Sequence, residues 1–553
     1  AVLRYTSSLP GVAVARSVPF GCLPEGVEAV RSAVSEGRLD GAVVGACSRR
    51  TRTPLFERAL GVPVRVASLR EECASVHADD PAGATRKAKE LLRIAAARIG
   101  PSAEGACGGE LTLVPRHAAL VVGGGAAGLT ACLRLADSGV AVHLVERERA
   151  LGGHALLLDR SPDGADLRCA VKGLVAKAKR HPGVTLHLGC EVVRHASHLG
   201  EFTAVVRPVD GSGADAVLHV GATVAATGAM EFRGAAYGLG ASPRVVTLLD
   251  LGKRLRDDPG FAAGLSQVLF VGCVGPWDEA GSRASWRCSR GCCHTMVRRA
   301  RALKEASPGA LVAVLVREVN TYAFAEEDYT AARKAGVLFV RFDPRDRPRV
   351  ESRPEGTLRV EVADTSLGET LEFAPDLLVL AAAVLPRADA ERTARRLGVR
   401  LGGDGFVREW EAKTRAAATL EPGVFACGLA AGPKPLGETI AQSLAAAQAA
   451  LVHLSRARTV DTRTVARIDT KLCADCLTCV RTCPYGVPRA GDAAFPPGLP
   501  RGKAFIDPAR CQGCGTCVAA CPSGAMTVRN LSDEQVLGMI RAALADVPAT
   551  VEA

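Results

Sequence analysis

Residues 117–146, HAALVVGGGAAGLTACLRLADSGVAVHLVE, pass from an apolar run through a glycine cluster into an amphipathic stretch and out to a second apolar run. The pattern predicts strand Ala118–Val122, a loop Gly123-x-Gly125-x-x-Gly128, a helix to Asp137, and strand Ala141–Val145 leading into Glu146. Gly123 permits the tight turn, Gly125 lets the backbone approach a pyrophosphate, and Gly128 allows close helix–strand packing. Free N–H groups and the dipole at the helix start favour the phosphates. Glu146, eighteen residues after Gly128, is placed to accept from a ribose hydroxyl. A glycine-rich turn alone says little, but strand, loop, helix and acid in register predict a dinucleotide cradle in an α/β fold.

Two runs further on carry eight of the twenty cysteines: Cys473-x2-Cys476-x2-Cys479-x3-Cys483-Pro484 and Cys511-x2-Cys514-x2-Cys517-x3-Cys521-Pro522. In this bacterial ferredoxin spacing three thiolates hold one 4Fe–4S cluster and the fourth reaches across to the other. The rule assigns Cys473, Cys476, Cys479 and Cys521 to one cluster, and Cys511, Cys514, Cys517 and Cys483 to its partner. Proline after the fourth cysteine ends the helical turn. A zinc ribbon would not use four cysteines per run.

The loops around the cradle favour FAD over NAD. Leu151-Gly152-Gly153-His154 resembles the second loop of FAD-binding flavoproteins of the two-dinucleotide-domain type. Val224-Ala-Ala-Thr227-Gly228 looks like the strand-end crossover of that fold. Val424-Phe425-Ala426-Cys427-Gly428, followed by a helix Thr439–Leu451, is similar to the closing strand and helix that meet the isoalloxazine. The resemblance implies FAD in a discontinuous domain, with Gly153, His154, Gly228 and Gly428 beside it. For His154 a backbone-positioning role is at least as well supported as acid–base work. Lys434, in Gly432-Pro433-Lys434, would lie near the polar edge of the flavin.

Flavoproteins of this type usually carry a second Rossmann unit for NAD(P)H between the two halves. Here Gln267–Val271 reads as a strand, but Gly272-Cys273-Val274-Gly275-Pro276-Trp277 follows it. That loop lacks the phosphate glycines, and Pro276 obstructs the helix turn that would receive a phosphate. Cys273, Cys288, Cys292 and Cys293 occupy the region instead and predict a third cluster. Buried, unliganded cysteines are the plainer alternative.

Composition fits a redox protein with three to four domains of ~150 residues. The chain has 553 residues, 48% of them apolar, and twenty cysteines. With no signal peptide, those cysteines point to metal ligation in a reducing cytoplasm. No uncharged apolar run approaches the ~18 residues of a membrane span. The net charge of +11 comes from dispersed arginine without interleaved aromatics. It reads as a solvated basic surface, not a nucleic-acid site.

Nearly end to end, the chain resembles the flavin- and iron–sulfur-containing, A-type component of heterodisulfide reductase. The resemblance rests on Ala46-Cys47-Ser48-Arg49, Arg70-Glu71-Glu72-Cys73, Gly152-Gly153-His154, Cys273-Val274-Gly275, Cys288-Ser-Arg-Gly-Cys292-Cys293, Gly432-Pro433-Lys434, and Cys521-Pro-Ser-Gly-Ala with Asp533-Glu534-Gln535. It implies an oxidoreductase subunit whose FAD passes electrons, in some relatives by bifurcation, among 4Fe–4S clusters. A partner subunit would then reduce a disulfide-like acceptor. Implied partners are the other subunits of such a complex and a donor such as a hydrogenase, formate dehydrogenase or flavin oxidoreductase module, with ferredoxin as a further acceptor. A rival reading is an NAD(P)H-dependent iron–sulfur flavoprotein resembling the glutamate synthase small subunit; the missing second GxGxxG argues against it. No Cys-x2-Cys or Cys-x4-Cys for disulfide exchange lies in either flavin half.

Three departures from that family stand out. Many members carry a further ferredoxin insert in the first flavin half, whereas Cys190–Thr227 runs through without one. The chain starts after the family's Cys-x-Cys-Gly segment, leaving Cys22, Cys47 and Cys73 as candidates for an N-terminal cluster or for none. A family cysteine pair is reduced to Cys169. Cys132, Cys190 and Cys427 read as small buried apolar residues, and Cys107 as a free thiol in a linker.

The expected organisation is an N-terminal α/β domain (1–115), a thioredoxin-reductase-like flavin domain in two halves (116–235 and 376–455), a cluster-bearing Rossmann-like domain (236–375), a ferredoxin domain (456–530) and a C-terminal helix (531–553). Ser532 and Gln535 predict a capping box for that helix. Val536, Met539, Ile540, Ala543 and Leu544 predict its apolar face, docked on its own chain.

Overall fold

Ala118–Val122 is apolar at every position, and a strand buried on both faces is what such a run forms. In the computed structural model it lies inside a seven-stranded sheet in the order Glu409–Glu411, Arg415–Thr419, Val424–Ala426, Ala222–Ala225, Ala118–Val122, Ala141–Glu146, Val184–Leu188. The structure describes residues 1–99, 112–113, 115–158, 166–196, 202–258, 260–276, 288–411, 413–455, 459–460, 465–490, 502–506, 511–528 and 531–546. Cys107 and Trp277 fall outside them. The five strands from Val424–Ala426 to Val184–Leu188 run parallel. Helices Ala126–Asp137 and Leu436–Leu454 pack together over the sheet, burying Leu129, Leu135, Ala446 and Ala450. Each fully buried leucine contributes about 1.5–3 kcal/mol. An antiparallel sheet of Cys190–Ala196, Phe202–Pro208 and Ala216–Val220 packs in a second apolar cluster with Leu120 and Val424.

A second parallel sheet, ordered Val245–Thr247, Leu377–Ala382, Gln267–Val274, Leu311–Val316, Leu338–Arg341, forms the inserted domain. This corrects one boundary. Leu377–Ala382, placed by the sequence reading in the second flavin half that begins at 376, pairs with Gln267–Val274 and belongs to the insert. Its uninterrupted apolar run marks a buried strand but not the sheet it joins. Met230–Glu231 and Val384–Leu385 pair antiparallel where the chain passes between the two domains.

These domains share one compact unit, Leu113–Thr459; residues 1–112 and 460–553 form the other. There, strands Ala42–Ala46 and Val64–Ser68 pair in parallel among helices Pro24–Glu36, Arg49–Leu60 and Pro81–Ile99. Two antiparallel strand pairs, Ala466–Ile468 with Met526–Val528 and Pro488–Ala490 with Ala504–Ile506, enclose short helices Thr478–Thr482 and Thr516–Ala519. Helix Asp533–Leu544 has the expected capping box and packs along Pro81–Ile99. The predicted apolar face is used only in part: Val536, Met539 and Ala543 are half-buried. Ile540 and Leu544 are exposed, whereas Gln535 is buried and donates to the Arg98 carbonyl, and Gly538 lies over Ala97. Small residues let the two helices approach, and apolar periodicity does not reveal that choice. Among the described residues, no helix is long and apolar enough to cross a membrane.

Candidate flavin and iron–sulfur sites

The glycine loop is built by contacts only glycine allows. Gly123 holds φ +110, and a Cβ there would lie 2.3 Å from the Ala226 carbonyl oxygen. A Cβ on Gly128 would lie 1.8 Å from the Gly123 carbonyl oxygen, so the helix cannot seat on the loop with any larger residue. Gly125, the residue before helix Ala126–Asp137, is different: nothing lies within 4 Å of where its Cβ would be. Open space over a helix N-terminus suits a pyrophosphate.

Glu146 stabilises this loop as well as facing the cleft. Its carboxylate accepts from Gly124 N–H at 2.5 Å and from Glu148 N–H at 2.9 Å. The Gly152–Gly153 loop crosses the first one, with Gly152 N–H donating to the Gly124 carbonyl and Gly153 against Gly125. A cleft of about 110 Å³ opens beside Glu146, lined by Thr227, Gly228 and Arg387 among others. His154 stands exposed after the crossing; partial desolvation and the charges of Arg387 and Arg233 hold its imidazole below the ordinary range.

The closing loop meets the same helix. Gly428 holds φ +67, and a Cβ there would meet Ala127 Cβ at 2.6 Å. Its N–H donates to Gln442, whose amide donates in turn to Glu409. Lys434 is half-buried, and its ammonium donates to the carbonyls of Gly428 and Gly432 at 2.7 Å each. Burial brings its pKa down to about 8; Glu409 opposes the shift and Arg290 adds to it.

Cys273 lies in an irregularity of strand Gln267–Val274, between Val271 and Val274, at φ +58. A bulge of this kind re-aims a side chain, and a left-handed non-glycine residue persists only where its surroundings hold it. Cys288 precedes helix Gly291–Ala306, which carries Cys292 and Cys293 in its first turn. The four thiols gather around Cys292. Its pKa is pushed up first by its hydrogen bond with Cys293, then by burial, then by the charges of Cys293, Cys273 and Cys288. Asn320 reaches the Cys288 sulfur at 3.8 Å.

In the other unit the two cysteine runs cross. Burial pushes the Cys517 thiol up to about 11, with added repulsion from Cys511, Cys483 and Cys514. Cys479 is raised by burial and by Cys473 and Cys476. Thr478 lowers Cys476, and Cys521 is close enough to act in the opposite sense. Cys514 is lowered in the same way by Thr516, 3.4 Å from its sulfur. Cysteine spacing alone passes over the threonine two residues after the second cysteine of each run, although its repetition is a readable signal. Of the N-terminal candidates, Cys73 is buried with its thiol donating to the Ala84 carbonyl at 2.9 Å, and Cys47 faces Arg70. Among the described residues, no three His, Cys, Asp or Glu side chains converge on a single-ion site. In a cubane cluster each cysteine binds a different iron, so its ligands need not converge in that way.

Comparison with known proteins agrees with this division. Residues 472–526 match the 4Fe–4S dicluster domain, and 121–189 the NAD(P)-binding Rossmann-like domain. A CoB–CoM heterodisulfide reductase iron–sulfur subunit of Methanopyrus kandleri, of the A type, is 29% identical over 88% of this chain and 87% of its own. The A-type component of the H(2)/formate:CoB–CoM heterodisulfide,ferredoxin reductase of Methanococcus maripaludis is 29% identical over 98% of this chain and 94% of its own. Among solved structures, thioredoxin reductase of T. acidophilum covers 60% of this chain and 97% of its own, at 16% identity and TM-score 0.43. With relatives of one kind matched along almost their whole length, and with the glycine cradle and the dicluster domain in order, this chain is a flavin and iron–sulfur oxidoreductase similar nearly end to end to the A-type subunits of heterodisulfide reductase.

Proposed function

We propose that the chain is the electron-distributing subunit of a heterodisulfide-reductase-like complex, holding FAD and three 4Fe–4S clusters. One cluster takes Cys473, Cys476, Cys479 and Cys521; a second takes Cys511, Cys514, Cys517 and Cys483; the third takes Cys273, Cys288, Cys292 and Cys293. FAD lies on Gly123, Gly125 and Gly128 with its ribose toward Glu146, flanked by Gly153, His154, Gly228, Gly428 and Lys434. Cys22, Cys47 and Cys73 are left outside the ligand set.

Bound FAD supplies two-electron exchange that can proceed in single steps, and each cluster relays one electron at a time. The chain supplies the geometry. The Gly125 opening and the helix start bind the phosphates, and Gly428 with Gln442 holds the closing loop against the first turn of that helix. Lys434 places a cation by that loop, where positive charge favours a reduced, anionic flavin.

The observation that carries the reading is the four-thiol group around Cys292 in the domain where a nicotinamide would otherwise sit. It favours electron delivery from a protein partner over NAD(P)H. The donor would be a hydrogenase, formate dehydrogenase or flavin oxidoreductase module, and the acceptor a partner subunit that reduces a disulfide; ferredoxin would serve a form that splits electron pairs. The test is anaerobic reconstitution with an iron count, followed by NADH or NADPH. Close to twelve irons and an unbleached flavin are expected; rapid bleaching by either nucleotide would overturn the assignment.

A further inference from the structure

Glu438, in the first turn of helix Leu436–Leu454, ties the flavin-closing loop to the cysteine helix. Arg290 donates to its Oε2 at 2.7 Å and reaches Oε1 at 3.4 Å. The Tyr322 hydroxyl donates to the same Oε1 at 2.5 Å. The Arg290 guanidinium also donates to the Pro433 carbonyl at 3.3 Å, and a Cβ on Gly291 would lie 3.7 Å from Pro435 Cα. Three segments remote in sequence thus converge on one carboxylate. Arg290 itself holds φ +53, a conformation retained by such contacts.

The arrangement makes little sense as a source of stability. Arg290 and Glu438 side chains are 41% and 38% exposed, and an ion pair that open to water contributes little. Its position is more telling. Arg290 lies between Cys288 and Cys292 in the sequence, and its charge and the Cys288 thiol both act on the Tyr322 hydroxyl. A cation there favours the more negative, reduced state of whatever centre those thiolates hold. Glu438 pairs with that charge on the flavin-loop side and opposes it.

We propose that Glu438 is a positioning residue that, through Arg290 and Tyr322, fixes the cysteine helix against the flavin-closing loop and holds down the potential of the central cluster. This rests on the reading that Cys273, Cys288, Cys292 and Cys293 ligate that cluster. The test is a charge cycle in the full chain, reconstituted anaerobically, with the central-cluster potential read by spectroscopic redox titration against Cys292→Ala/Cys293→Ala as the blank. Glu438→Gln raises the potential, changing the reduced-to-oxidised ratio about tenfold, which is 59 mV for a one-electron couple. Arg290→Gln lowers it, and the double variant returns close to wild type, because the two charges offset each other. Tyr322→Phe, which removes a donor but no charge, moves the potential less. In the cofactor-free protein, hydrogen exchange at residues 433–438 rises in Glu438→Gln and in Tyr322→Phe. A Glu438→Gln potential equal to wild type, or a double variant displaced further than either single, overturns the inference. If Cys292→Ala/Cys293→Ala loses no iron, the cluster reading falls first and takes this one with it.

Discussion

The three glycines of the cradle separate binding from folding, and alanine at two of them tests the separation. At Gly128 an added methyl would stand 1.8 Å from the Gly123 carbonyl oxygen, a backbone atom that cannot turn aside. Helix and loop must part, at a cost of about 3 kcal/mol or more. At Gly125 the same methyl meets nothing within 4 Å, and the residue's φ of −76° suits any side chain. The protein alone then loses about 1 kcal/mol, because alanine caps a helix less well than glycine. The methyl does, however, occupy the approach to the helix N-terminus. Gly125→Ala should therefore weaken FAD at least about tenfold, ~1.4 kcal/mol, with the fold nearly unchanged. Gly128→Ala should lose both. The assay is thermal unfolding of the cofactor-free forms beside a fluorescence titration with FAD. A Gly125→Ala protein that binds FAD as wild type does would refute the placement of the pyrophosphate; one that unfolds as readily as Gly128→Ala would refute the reading of open space.

Cys521→Ala should lower iron by about four and remove the signal of the cluster on Cys473, Cys476 and Cys479, although it belongs to the other run; loss confined to the Cys511 run would contradict the crossing. For Lys434, folding lowers the pKa from 10.5 to about 8, so between those values the folded form binds fewer protons than the unfolded chain. Stability of the FAD-free protein therefore rises with pH across that window. Lys434→Met should abolish the rise and gain up to about 2–3 kcal/mol at pH 7, while lowering the flavin midpoint potential of the loaded protein. A flat profile in wild type would remove the basis for both statements. Arg93 donates to the Ala542 carbonyl at 2.7 Å and pairs with Asp546 at 2.8 Å. Arg93→Ala should cost about 2 kcal/mol in the docking of helix Asp533–Leu544, seen as faster proteolysis after residue 531.

What could be read from sequence follows how local each feature is. The ferredoxin spacing and the Gly123–Gly128 loop are short-range patterns whose geometry is fixed by a few consecutive residues, and the structure has the expected strand, loop and helix there. The central cysteines are a readable signal too, because Cys292 and Cys293 are adjacent and the loop after Gln267–Val271 lacks the phosphate glycines. The bulge that turns Cys273 toward them is not, since it depends on pairing with Leu377–Ala382. The sheet that strand joins is hidden for a related reason: a uniformly apolar run carries no label for its neighbours. Arg290, Tyr322 and Glu438 are polar residues in three unrelated stretches. Nothing in hydrophobic period or spacing joins them, so their meeting at one carboxylate is visible only in three dimensions.

The pairing of helix Asp533–Leu544 with helix Pro81–Ile99 sets an order of events during synthesis. At a ribosomal pace of 5–20 residues per second, the earlier helix waits roughly 20–90 s for its partner. Meanwhile the whole of Leu113–Thr459 is made and can close around its own core. Every strand of the nucleotide cradle is thus synthesised before the first ferredoxin cysteine. Cells short of iron should accumulate chains already loaded with flavin, yellow but lacking ferredoxin clusters, with the segment around Arg93 still open to proteases.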